Sequence, residues 1–103
     1  LMEWRRYVRI VYRAVRAVIP GAEVYVTGGA AEDRLTARSD VDVLVVLPHT
    51  PTFTEAVEVR VRVMEKAEDL GLPPHAPIEL HVIGREELRR YATRTRVIPA
   101  SEV

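Results

Sequence analysis

The sequence predicts an α/β (α+β) fold, a small mixed β-sheet with helices packed on it, from three observations. Its 103 residues suit one domain on the ordinary scale of roughly 100–200 residues each, so residues 1–103 are expected to form a single domain with one modest core. Some segments space their apolar residues with a helical period, and others are dense β-branched runs. Glycine and proline separate them into the order helix, strand, glycine turn, strand, helix, strand, helix, in which one-sided helices must close on a sheet.

Residues 3–19 place Trp4, Val8, Val11, Val15 and Val18 three or four apart, one face of a helix that Pro20-Gly21 ends. Arg6, Arg9, Arg13 and Arg16 run along another face, and residues 1–20 carry a local charge of +4. That stripe suits an acidic partner or RNA, although a solvated helix face explains it more simply. Residues 23–27 (Glu-Val-Tyr-Val-Thr) form a strand entering the turn Gly28-Gly29. Residues 30–39 are a polar loop or short helix. Residues 41–47, Val and Leu apart from Asp42, make a strand buried on both faces towards its end.

Between Thr52 and Leu70 the residues Val57, Val59, Val61 and Val63 alternate with charges, a strand pattern. A helix is still expected there, because the stretch is too long for one strand and lies between a Thr start and a Gly71, Pro73-Pro74 stop. Residues 78–83 form the next strand and 85–92 a short helix, with an extended or loose tail over 93–103. Tyr7, Tyr12 and Trp4 read as core or interface residues rather than base-stacking platforms. One Trp, one Phe and four Tyr offer little aromatic surface for nucleic acid.

With 48% hydrophobic and 29% charged residues the composition is that of a globular domain, and fifteen basic residues balance fifteen acidic ones. Bulk charge therefore advertises neither nucleic acid nor membrane. No apolar run approaches the roughly 18 residues of a membrane span, and no signal-peptide core follows the Arg-rich start, so a cytoplasmic setting is expected. There is no Cys, so any metal must be held by oxygen or imidazole. Asn and Gln are absent and fourteen of the fifteen basic residues are Arg. This pattern points to a thermophile, although a GC-rich genome would also favour Arg.

Asp40 and Asp42 stand two apart where the central strand begins, so they share a face with Cα atoms ~6–7 Å apart. Two carboxylates in one small volume repel unless a cation lies between them, and hard ions such as Mg²⁺ take oxygen ligands. By itself the pair is more simply a solvated strand end, and Gly28-Gly29 a plain tight turn. Together they say more, because glycines let backbone N–H groups approach phosphate oxygens.

Val26-Thr27-Gly28-Gly29, ten residues, then Asp40-Val41-Asp42-Val43-Leu44 resembles the signature of the polymerase β-like nucleotidyltransferase superfamily, and Ser39 fits its Ser-Asp-hydrophobic-Asp form. The short chain resembles the minimal nucleotidyltransferases of that superfamily, found in HEPN-containing toxin–antitoxin pairs. The resemblance implies a palm-like core and two-metal transfer of a nucleoside monophosphate, AMP from ATP, with release of pyrophosphate. Asp40 and Asp42 would hold two Mg²⁺ ions, Glu79 on the next strand would be the third carboxylate, and Gly28, Gly29 and Ser39 would line the phosphates. The acceptor would be a tyrosine on a small helical HEPN-type partner, with the chain as antitoxin; a homodimer and a nucleic-acid acceptor stay open.

Two departures accompany the resemblance. The family often has Ser, a basic residue and a further Gly where this chain has Gly29, Ala30 and Asp33, so phosphate gripping would be weaker or fall to Arg34 and Arg38, which read more simply as ordinary loop charges. Glu79 stands where Asp is commoner. These keep a rival reading in play, an inactive module that neutralises its partner by contact, and a plain α/β domain with an incidental acidic pocket is a third. His81 shares a face with Glu79 and could neighbour the site, although a polar side chain facing solvent is the simpler reading; His49 and His75 sit in Pro-rich loops and carry no signal.

Overall fold

A computed structural model describes residues 3–31 and 40–103. The elements run α1 (Trp4–Val18), β1 (Glu23–Thr27), β2 (Val41–Val46), α2 (Phe53–Asp69), β3 (Ile78–Ile83), α3 (Arg85–Arg94), β4 (Val97–Pro99) and a final 3-10 turn over Ala100–Glu102. The sheet order is β3-β2-β1-β4. β1 pairs antiparallel with both β2 and β4, and β2 pairs parallel with β3 through the α2 crossover. The sheet is thus mixed and carries helices, as the sequence pattern requires.

Strand parity divides the side chains between two faces. Val24 and Val26 of β1, Val41, Val43 and Val45 of β2, and Leu80 and Val82 of β3 close on α1 through Val8, Val11, Ala14 and Val15. On the same face Val59, Val63 and Ala67 of α2, four residues apart, complete this core. The alternating valines that imitate a strand belong to two stripes of one helix: Val59 and Val63 are buried, while Val57 and Val61 are exposed. Thr52 caps that helix by accepting from the Glu55 N–H at 3.1 Å. It ends in a Schellman motif, with the Leu72 N–H donating to Ala67 O at 2.9 Å and Gly71 N–H to Glu68 O at 3.0 Å. Gly71 supplies the left-handed φ of +107° that this motif needs.

Trp4 is buried and Tyr7 and Tyr12 pack at the core's margin, so all three belong to the core. The Arg stripe of α1 faces outward, with Arg6 paired to Glu3 at 2.6 Å and Arg16 donating to Pro20 O at 3.0 Å. The tail, expected to be extended or loose, is extended where it adds the edge strand β4, and it buries Ala100. Arg9 Nε donates to Val103 O at 3.2 Å, tying α1 to the tail. Among the described residues no helix is long and apolar enough to cross a membrane.

Candidate active site on the open face of the sheet

The face away from α1 and α2 is half covered. Leu44, Val46 and Ile83 form a small second cluster with Tyr25 and with Leu88 and Tyr91 of α3. These side chains occupy the later positions of β2 and β3. The first outward positions are polar, Asp42 on β2 and Glu79 on β3, and the parallel register sets them directly opposite each other. His81 follows Glu79 on the same face.

On the other side of Asp42 lies Thr27, its antiparallel partner at the end of β1. Thr27 is the one buried polar residue among those described, and its hydroxyl donates to Arg96 O at 3.1 Å. The chain then turns through Gly28, whose φ of +73° is left-handed. A Cβ at Gly28 would lie 3.1 Å from Asp42 Oδ2, so glycine there serves both the turn and the close approach of backbone to carboxylate.

Asp42 Oδ1 and His81 Nε2 are hydrogen-bonded at 3.1 Å, and His81 Nε2 lies 4.0 Å from Glu79 Oε1. One ligand atom from each of Asp42, Glu79 and His81 lies within 4.8 Å of the others. Two facing carboxylates with an imidazole between them are a donor set that fits a divalent cation. The Tyr91 ring sits 6.2 Å from the His81 ring, tilted by 51°. Burial, then the negative charges of Glu87 and Asp42, hold the Tyr91 phenol above its ordinary pKa, with Arg94 opposing them. A cleft of about 290 Å³ opens at the free edge of β3, lined by Arg60, Met64 and Glu79 among others.

The sequence-predicted residues divide accordingly. Asp42, Glu79 and Gly28 meet, with Gly29 beside them in the turn after β1. Asp40 is exposed just before β2 and is not one of the three clustered ligands. Ser39 lies outside the described residues, as do Asp33, Arg34 and Arg38. His81 corrects the expectation of a solvent-facing side chain: it is half-buried and touches Asp42. The signal was its spacing, since a residue two after Glu79 on a strand shares its face.

A family model described as "Nucleotidyltransferase domain" matches residues 8–98. No curated protein matches the chain. Among solved structures, a candidate nucleotidyltransferase from Sulfolobus solfataricus is similar at a TM-score of 0.63 and 17% identity, over 89% of this chain and 78% of that one. A second candidate nucleotidyltransferase gives 0.58 and 17%, over 88% and 94%. A toxin–antitoxin structure with AMP-PNP gives 0.56 and 17%, over 87% and 70%. At this identity the three likenesses speak for the fold.

Proposed function

This chain belongs to the nucleotidyltransferase domain family, and from that premise we propose that residues 1–103 act as one domain moving AMP from ATP to a tyrosine hydroxyl on a small helical HEPN-type partner, as the antitoxin of such a pair. The reading rests on one observation above all: Gly28, at the end of β1, brings its backbone against the carboxylate of Asp42, which itself faces Glu79. A structure similar in fold is a toxin–antitoxin with AMP-PNP, which supports both the nucleotide and the partner.

In this mechanism Asp42 and Glu79, with Asp40 from the strand mouth, would hold the divalent ions. Bound Mg²⁺ would neutralise the triphosphate and stabilise the entering and leaving oxygens of an in-line displacement. The Gly28-Gly29 turn lets phosphate oxygens approach backbone N–H groups that a side chain would screen. The acceptor hydroxyl gives up its proton to solvent as its oxygen bonds to the α-phosphorus, the bond from that phosphorus to its bridging oxygen breaks, and pyrophosphate leaves. Positioning and charge neutralisation do most of the work.

A second reading, a module that neutralises its partner by contact alone, draws on the Asp42–His81 hydrogen bond, which satisfies the carboxylate without a cation. Incubation with α-labelled ATP, Mg²⁺ and the helical partner separates the two. Label on a partner tyrosine, lost in Asp42→Asn, supports transfer; an Asp40→Asn/Asp42→Asn protein that still neutralises the partner, with no label moved by wild type, overturns it.

A further inference from the structure

We propose that His81 is a direct ligand of the cation shared by Asp42 and Glu79, and that this imidazole makes the site prefer Mn²⁺ or Co²⁺ to Mg²⁺. The inference rests on the reading that this face holds a divalent ion, and goes beyond it by assigning a nitrogen ligand and a metal preference.

Geometry comes first. Adjacent ligands of an octahedral ion at about 2.1 Å lie about 3.0 Å apart, and the Asp42 Oδ1–His81 Nε2 separation is already 3.1 Å. Glu79 Oε1 needs to move by only about 1 Å from its 4.0 Å distance to Nε2 to match that spacing, and its side chain is 56% exposed and free to do so. The two oxygens of Asp42 face different ways, Oδ2 towards the Gly28 turn and Oδ1 towards His81. The imidazole ring is not loose: Tyr91 stands beside it, and the buried Leu44 is its register partner on β2.

Chemistry then sets the preference. Mg²⁺ is a hard ion that favours oxygen, whereas imidazole suits later first-row ions, whose affinity rises from Mn²⁺ towards Co²⁺ and beyond. A set of two carboxylates and one imidazole therefore discriminates more sharply than three carboxylates would.

The test uses the full chain and manganese chloride without nucleotide. Pulsed EPR of the Mn²⁺-loaded protein should show coupling to a directly bound imidazole nitrogen. Competition titration should give Mn²⁺ binding about tenfold or more tighter than Mg²⁺. His81→Gln, checked for an unchanged circular-dichroism spectrum, should lose the nitrogen signal and about tenfold of Mn²⁺ affinity, with Mg²⁺ affinity moved less than about twofold. Bound Mn²⁺ without nitrogen coupling, or an equal loss for both ions in His81→Gln, overturns the inference. Neither result depends on turnover. A nitrogen signal in a protein that transfers no nucleotide leaves the ligand standing and sinks the transferase reading. Mg²⁺-driven transfer with no nitrogen signal does the reverse, and no bound ion at all in the nucleotide-free chain overturns the ligand assignment, the transferase reading being decided by the label experiment.

Discussion

The two faces of one sheet are built to opposite rules. Strand β2 serves both: Val41, Val43 and Val45 enter the large core beneath α1 and α2, while Asp42, Leu44 and Val46 face the other way. On the first face every strand position is apolar and two helices of fifteen and seventeen residues cover it. On the second, the ten-residue α3 covers only the later half of the strands, through Leu88 and Tyr91. The uncovered early half holds Asp42 and Glu79, and His81 joins them from the margin of α3, beside Tyr91. Stability and charge are therefore kept apart by strand parity across the sheet and by helix length along it. The charged end is also where antiparallel pairing brings the Gly28 turn of β1 against the start of β2.

If the faces are separate in this way, Asp42→Asn should be the most damaging change to transfer and among the mildest to folding. Loss of a metal ligand removes several kcal/mol of transition-state stabilisation, about 10³-fold in rate. The melting temperature should stay within about 4 °C of wild type, as for a partly exposed polar substitution. Calorimetry showing a large drop would mean that the carboxylate is structural and that the two faces are not independent.

Truncation of the apolar parts should reverse that pattern. Leu72→Ala in the large core and Leu44→Ala beneath α3 should each cost about 2–5 kcal/mol, both side chains being nearly fully buried. Leu44→Ala should fall nearer the lower figure, because α3 can settle onto the gap more easily than two packed helices can. Urea denaturation of both variants checks this, and an equal or larger loss for Leu44→Ala would show that the small cluster is as constrained as the large one.

How far these faces could be read beforehand depended on which pattern carried them. The large core was legible, because β-branched runs and helical spacing are signals carried by many residues at once. The helix over α2 needed the cap and stop residues to outweigh the alternating valines, and Thr52 and Gly71 fill those roles. The edge strand β4 was not legible: three residues pairing with β1 leave no periodicity. Within the site, Asp42 and Gly28 came from the motif, and Glu79 from the third carboxylate that the family resemblance implies. His81 was legible by its spacing as a neighbour of Glu79, but only the β2–β3 register, a tertiary fact, sets it beside Asp42.

A smaller effect joins the faces at their shared turn. Gly28→Ala must hold a Cβ at φ +73° and 3.1 Å from Asp42 Oδ2, which should cost about 1–2 kcal/mol of stability and displace the carboxylate by a few tenths of an ångström. Metal affinity should fall together with stability in this variant, unlike in Asp42→Asn or Leu44→Ala, where only one of the two moves. Manganese titration beside thermal melting reads both, and a loss of stability with metal affinity intact would detach the turn from the site.

The smallest effect lies where α3 reaches the charged end, at Tyr91. Its phenol is raised above 10.0 first by burial and then by the charges of Glu87 and Asp42. A folded-state pKa above the unfolded one means that the neutral phenol favours the fold. That contribution is fully present below about pH 10 and is lost as pH rises above it through the folded value. Urea melts at about pH 9 and about pH 11 should therefore show a smaller alkaline loss in Tyr91→Phe than in wild type. Phenolate absorbance should show Tyr91 titrating lower in Asp42→Asn, because one of the raising charges has gone. If that midpoint does not move, Tyr91 does not sense the carboxylate, and α3 covers the apolar half of the face without reaching electrostatically into the polar half.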